Sequence, residues 1–296
     1  MNQTSEDSVR DKIKILITGA AGQVAQALRE EAPKYNGLDC VFLDKTILDI
    51  TSSSSIREAI KNHTPEFIIN TAGYTAVDAA EENRELALQL NSRAIRILAQ
   101  ECKSKCIGLI HLSTDYVFDG KKTSAYIEGD RTNPQSVYGV SKRRGEKAIL
   151  NAKLPVYAII RTSWVYSTYG SNFVKTMLRL ARERTEVSVV NNQIGSPTYA
   201  NDLANALLTI CTKVTEKTSG IYHYSNKGKI SWYQFAKAIF KYTATSIIVN
   251  PVGSEHYPVK AKRPKNSVLS TDKISESFNL EILDWKVSLQ KMLSRG

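Results

Sequence analysis

Short apolar runs rich in β-branched residues recur through the first half of the chain, at Lys14 to Thr18, Val41 to Asp44, Phe67 to Asn70, Ile107 to Leu112 and Tyr157 to Arg161, and predict strands. Between them, Val24 to Ala32, Ile56 to Lys61, Leu86 to Cys102 and Tyr138 to Ala152 place apolar residues three and four apart, the period of a helix with one buried face. Strand, helix, strand repetition at this spacing predicts an α/β fold, a doubly wound parallel sheet with helices on both faces. Beyond Arg161 the rhythm loosens. Helices are expected at Asn172 to Arg184, Asn201 to Lys213, Ser231 to Tyr242 and Lys286 to Leu293, with strands at Glu186 to Val190 and Gly220 to Tyr224. No long polar linker separates the halves, so a smaller α/β lobe should pack directly on the first and leave a cleft as the ligand site.

Composition adds bounds rather than a function. The chain has 296 residues with 42% hydrophobic and 23% charged, ordinary values for a globular protein. No window approaches the ~20 apolar residues of a membrane span, and the polar start MNQTSEDSVRDK lacks the apolar core of a signal peptide, so a cytoplasmic location is expected. Residues 1–12 read as a disordered extension. A formal net charge of +11 would suit nucleic acid, an acidic surface or an anionic small substrate. The basic residues are spread out, and the two dense clusters, Arg143 to Lys147 and Val259 to Lys265, carry no interleaved aromatics, which weighs against nucleic acid. Cys40, Cys102, Cys106 and Cys211 form no Cys-x-x-Cys pair, and His63, His111, His223 and His256 have no ligand spacing, so no metal ligands are assigned.

Two segments carry candidate chemistry. Gly19-Ala20-Ala21-Gly22-Gln23-Val24-Ala25 follows the first strand and opens the first helix, the context of a Rossmann-type phosphate turn: glycine lets backbone approach a pyrophosphate, and the helix N-terminus favours its charge. Asp44 ends the second strand about twenty residues later, where an acid takes the ribose hydroxyls of NAD, whereas Lys45 beside it would attract a 2′-phosphate. Asp49, Ile50 and Thr51 line the adenine side or form a helix-capping loop, and Thr71, Ala72 and Gly73 fall at the carboxyl edge of the third strand. The second segment runs from His111 to Lys142. Thr114 stands at a strand end, and Tyr138 and Lys142, four apart, share one helix face. An ammonium beside a phenol, ordinarily near pKa ~10, would favour the phenolate and equip Tyr138 to exchange a proton with a reacting oxygen.

Taken together, GAAGQVA, LDIT, IINTAGYTAVDAAE, HLSTDYVFDG, VYGVSK, IIRTSWVYS, GSNFVKTMLRLARER, NNQIGSPTYANDLA, GIYHYSNKGKISWYQFAKAIF, RPKNSVLST and LDWKVSLQKML resemble the dTDP-4-dehydrorhamnose reductase family of extended short-chain dehydrogenases. The resemblance covers nearly all of the chain after residue 12. It implies transfer of hydride from NADPH or NADH to the C4 ketone of dTDP-4-dehydro-L-rhamnose, giving dTDP-L-rhamnose for polysaccharide synthesis. It implies Thr114, Tyr138 and Lys142 as the catalytic set, and Gly19, Gly22, Gln23, Val24, Asp44, Asp49, Ile50, Thr71, Ala72, Gly73, Tyr138 and Lys142 as cofactor contacts. For the dTDP-sugar it implies Thr114, Asp115, Tyr116 and Trp164, with Tyr74 and Val77 beside them and Arg263 and Asn266 on the diphosphate; the alternatives are a core aromatic between the lobes for Trp164 and an ordinary surface loop for Arg263 and Asn266. On this reading 13–165 is mainly the dinucleotide-binding domain and 166–296 mainly the substrate-binding lobe, partly interleaved. Ala25 stands where many members carry glycine, and Gly73 where alanine is usual. Some members use Mg²⁺ through acidic residues at a dimer interface, so the resemblance allows Mg²⁺ and a homodimer, with no Mg²⁺ ligands assigned. A cofactor-binding regulatory subunit resembling the methionine adenosyltransferase β subunit is the alternative. A dehydratase would need an Asp-Glu pair after the threonine, where this chain has Asp115-Tyr116.

Overall fold

A computed structural model describes residues 12–256 and 259–295. The expected disordered extension, apart from Lys12, lies outside the described residues. The chain begins with β1 (Ile13–Thr18), α1 (Gln23–Glu31), β2 (Leu38–Leu43), α2 (Ser53–His63) and β3 (Phe67–Asn70). Then come α3 (Ala79–Glu82), α4 (Arg84–Leu88), α5 (Ala94–Ser104), β4 (Gly108–Thr114), α6 (Val137–Ala152) and β5 (Tyr157–Thr162). The second half adds β6 (Val165–Tyr166), α7 (Phe173–Glu183), β7 (Glu186–Val190), β8 (Ile194–Gly195), β9 (Thr198–Tyr199), α8 (Ala200–Lys213) and β10 (Gly220–Tyr224). It ends with β11 (Ile230–Ser231), α9 (Trp232–Tyr242), β12 (Ile248–Val252), α10 (Asp272–Phe278) and α11 (Trp285–Leu293).

The doubly wound sheet expected from the pattern is present. It has six strands in the order β10-β5-β4-β3-β1-β2, and every neighbouring pair is parallel. Its strands are covered on both faces, which is why they read as continuous apolar runs. Val24, Leu28, Leu203 and Leu207 from α1 and α8 pack on one side; Ile56, Ile60, Ile95, Leu98 and Ile149 from α2, α5 and α6 pack on the other. The order reverses between β1 and β3, the switch point where such sheets open a crevice. Two of these elements, α8 and β10, come from beyond residue 165. A separate core of Tyr166, Val174, Val187, Phe235, Ile239, Trp285 and Leu289 fills the smaller lobe, where α7, α9 and α11 surround the β7/β12 pair.

The single helix expected over Leu86 to Cys102 is interrupted. A π-turn, Gln89–Arg93, separates α4 from α5. The cause is Asn91, fully buried, whose amide binds Tyr74 on both sides: Tyr74 N donates to Oδ1 at 2.8 Å and Nδ2 donates to Tyr74 O at 2.9 Å. Nδ2 also donates to Ser141 Oγ at 2.9 Å. The widened turn aims this amide at α6, and such bulges recur at functional sites.

Candidate active site

A cavity of about 650 Å³ opens at the carboxyl ends of the central strands. Its floor is built from backbone. Gly19 takes φ +68°, and a Cβ there would lie 3.0 Å from Ala72 N and Cα, so both the conformation and the space demand glycine. The turn delivers the chain into α1, whose N-cap Gly22 offers no side-chain acceptor and whose first turn carries no acid. The first-turn N–H groups are thus left for an external anion, the fit a pyrophosphate requires. At the far end Asp44 accepts from Thr46 N at 2.8 Å and Thr46 Oγ1 at 2.6 Å, and Asp49 accepts from Thr51 N at 2.9 Å and Thr51 Oγ1 at 2.7 Å. Both carboxylates are held low by these hydrogen bonds.

The wall is built from α6 and the end of β4. Ser136 starts the helix by accepting from Gly139 N at 3.1 Å, which puts Tyr138 and Lys142 in its first turns. Gly139 lets this end approach the β4 exit closely, since a Cβ there would sit 2.3 Å from Tyr116 O. Tyr138 meets Tyr116 edge to face, with ring centroids 5.5 Å apart. Thr114 Oγ1 donates to Asp115 Oδ1 at 3.0 Å, while Asp115 Oδ2 is buried with no hydrogen-bond partner. Lys142 Nζ donates to Leu112 O at 2.5 Å.

Burial sets the ionisation of this wall. It pushes Tyr138 up to about 12, with Asp115 adding to the rise and a hydrogen bond with Thr114 opposing it. It raises Asp115 to about 6 and lowers Lys142 to about 8. The expectation that a neighbouring ammonium would favour the Tyr138 phenolate is therefore corrected. Lys142 turns to the Leu112 carbonyl, and desolvation of the phenol dominates. The resting Tyr138 is a protonated donor.

Gly19, Gly22, Gln23, Val24, Asp44, Asp49, Ile50, Thr71, Ala72, Gly73, Val77, Thr114, Asp115, Tyr116, Tyr138, Lys142 and Trp164 all line this one cavity. Tyr74 does not; its backbone is held by Asn91. Arg263 and Asn266 lie instead on a second cavity, of about 1380 Å³, rimmed by Lys121, Lys122, Lys229, Lys260, Lys262 and Lys265. There Arg263 pairs with Asp78, Nη1 to Oδ1 at 3.0 Å and Nη2 to Oδ2 at 2.6 Å. Asn266 Nδ2 donates to the carbonyls of Lys122 at 2.7 Å and Ser124 at 3.0 Å.

Trp164, with φ 49°, stacks on Trp232, ring centroids 3.5 Å apart and planes within 9°. Trp232 also lines the first cavity, and sequence reasoning passed over it. Its only local signal is an aromatic following the helix-capping Ser231, which core packing explains equally well. Among the described residues no group of three or more His, Cys, Asp or Glu is arranged to hold a metal ion, and no helix is long and apolar enough to cross a membrane.

A family model described as RmlD substrate binding domain matches residues 13–296. The chain belongs to this family. Members include the dTDP-4-dehydrorhamnose reductase of Sinorhizobium fredii, 39% identical over 95% of this chain and 97% of its own length. That of Aggregatibacter actinomycetemcomitans is 40% identical over 94% of this chain and 98% of its own. A crystal structure of the Bacillus anthracis dTDP-4-dehydrorhamnose reductase in complex with NADP superposes with a TM-score of 0.91 at 38% identity, covering 96% of this chain and 100% of that one. These matches bear out the resemblance read from the motifs.

Proposed function

We propose that the protein is a dTDP-4-dehydrorhamnose reductase, reducing the C4 ketone of dTDP-4-dehydro-L-rhamnose to dTDP-L-rhamnose with NADPH or NADH. The observation that carries this reading is the convergence of Thr114, Tyr138 and Lys142 on the cavity whose floor is the Gly19 turn and the uncapped start of α1. The names borne by relatives of nearly equal length support the substrate, and the NADP complex of one relative supports the cofactor class.

When bound, a reduced nicotinamide supplies the hydride. The residues of the chain manage the proton and the charge. Tyr138 donates its phenolic proton to the C4 oxygen as that oxygen gains electrons, and solvent later restores it. A pKa pushed up to about 12 keeps the proton on Tyr138 until then. Thr114 turns its hydroxyl from Asp115 to the same oxygen. Lys142, cationic below about 8, supports the transient phenolate and reaches the nicotinamide ribose. Asp44 meets ribose hydroxyls and Lys45 a 2′-phosphate, so both cofactors are accepted. The lysine-rimmed second cavity takes the diphosphate; Arg263 and Asn266 shape its wall through Asp78 and the Lys122 to Ser124 loop.

The deciding experiment mixes purified protein with dTDP-4-dehydro-L-rhamnose and each reduced cofactor and follows loss of cofactor absorbance and appearance of dTDP-L-rhamnose. Turnover with at least one cofactor is expected. Cofactor binding without turnover would instead point to a regulatory subunit.

A further inference from the structure

We propose that Glu146 is the positioning residue of this site, a buried carboxylate that fixes the register of α6 against β4 and so sets Tyr138 and Lys142 against Thr114. The proposal rests on the reductase reading for its kinetics, but its geometry stands alone. Glu146 is 0% exposed and lies one turn beyond Lys142 on the same helix face. Its Oε1 accepts from Ser113 Oγ at 2.6 Å and Arg161 Nε at 2.8 Å. Its Oε2 accepts from Arg161 Nη2 at 2.9 Å and Arg143 Nη1 at 3.2 Å.

Three consecutive residues at the end of β4 are thereby used in turn. The Leu112 carbonyl takes Lys142, the Ser113 hydroxyl takes Glu146, and Thr114 turns into the cavity. Two short bonds one helical turn apart leave α6 no freedom to slide along β4. Arg161 extends the lock to β5, three residues before Trp164. The other groups facing this pair add no second anion in contact with it. His223, whose Nε2 lies 3.4 Å from Arg161 Nη1, is pushed down to about 3 by burial and by Arg161, and is neutral. Glu128 accepts from His223 N at 3.0 Å, and burial raises its pKa. Arg143 Nε is held by Thr132 Oγ1 at 2.8 Å. The charge of Glu146 also favours the Lys142 ammonium against the burial that depresses it.

A buried pair of this kind is costly to desolvate and is often replaced by apolar residues without loss of stability. Stability alone therefore does not account for it, and the replacement is the test. In the full-length protein, Glu146→Met with Arg161→Met removes both charges, and Ser113→Ala removes only the register bond. We expect the double variant to unfold near the parent's temperature and to bind NADPH within about threefold. Its kcat should fall about 30-fold, the scale of a sub-ångström misplacement, with KM little changed. The high-pH fall of kcat should move down by about one pH unit, because Lys142 loses its favouring charge. Ser113→Ala should lower kcat about fivefold with the pH profile unmoved. Parent kcat and pH profile in the double variant, or, should it fail to fold, parent kcat in Ser113→Ala, would overturn the proposal. If the parent itself shows no turnover, the reductase reading fails instead. The pH dependence of NADPH binding then decides, since loss of affinity at the same pH in parent and double variant would leave Glu146 without this role.

Discussion

The two cavities handle charge in opposite ways. The wall of the first cavity formed by α6 and the end of β4 desolvates its ionisable groups, so Tyr138, Asp115 and Lys142 are displaced toward their neutral forms. The second cavity spreads Lys121, Lys229, Lys262 and Lys265 over an open rim and places only Asp119 and Glu255 among them. Desolvation tunes a proton donor but gives little long-range attraction; an exposed basic rim attracts anions without tuning any one group. The difference teaches that long-range attraction of an anion and tuning of a proton donor are separate properties here, and the stacked Trp164 and Trp232 belong to the cavity that tunes.

That division can be broken in steps. The largest effect belongs to the phenol donor: Tyr138→Phe should lower kcat at least ~100-fold while NADPH affinity, measured by fluorescence titration, stays near the parent's. An unchanged kcat would remove Tyr138 from proton donation. Next comes pH. As pH rises through about 8 the Lys142 ammonium is lost while Tyr138 keeps its proton, so kcat should be flat below that point and fall about tenfold per unit above it. A fall beginning only above pH 10 would show that the bound state restores Lys142. The open rim should respond in KM instead. Lys121→Gln with Lys265→Gln should raise KM for the sugar nucleotide about fivefold at low salt, with kcat constant and the difference gone at high salt. A salt-independent loss would mean contact rather than attraction.

The smallest effect is on stability. Asp115 has a folded pKa of about 6, raised from 3.8. The folded state thus holds the proton more tightly, and the group's contribution to stability declines as pH rises from 3.8 to about 6. Asp115→Asn lacks this decline. Between pH 5 and 7.5 it should gain about 1 kcal/mol relative to the parent in urea unfolding. A constant difference would place the carboxylate's partner in an unseen cation or water.

Local information made much of the fold legible. Strand and helix order, the Gly19 turn and the Ser136-capped start of α6 follow from residues close in sequence. What escaped depends on distant partners. The π-turn at Asn91 answers to Tyr74 and Ser141, and apolar periodicity runs through it unbroken. Glu146 meets Arg161 from another element, and Arg263 turns to Asp78, 185 positions away. For the candidate site, residue types at motif positions could be read, and all but Tyr74, Arg263 and Asn266 fall in one cavity. Their ionisation could not, because the Tyr138 shift comes from burial that no spacing reveals.

The sixth sheet strand, β10, and the covering helix α8 belong to the second half of the chain yet complete the first. During synthesis the hydrogen-bonding edge of β5 and the apolar face of α1 must therefore wait until Tyr224 has emerged. Until then the nascent sheet presents an open edge of the kind that pairs wrongly with other chains. A fragment ending near residue 165 should inherit that exposure permanently, so the two lobes cannot be separated by cutting between them, and the catalytic cavity is a product of the whole chain's late closure.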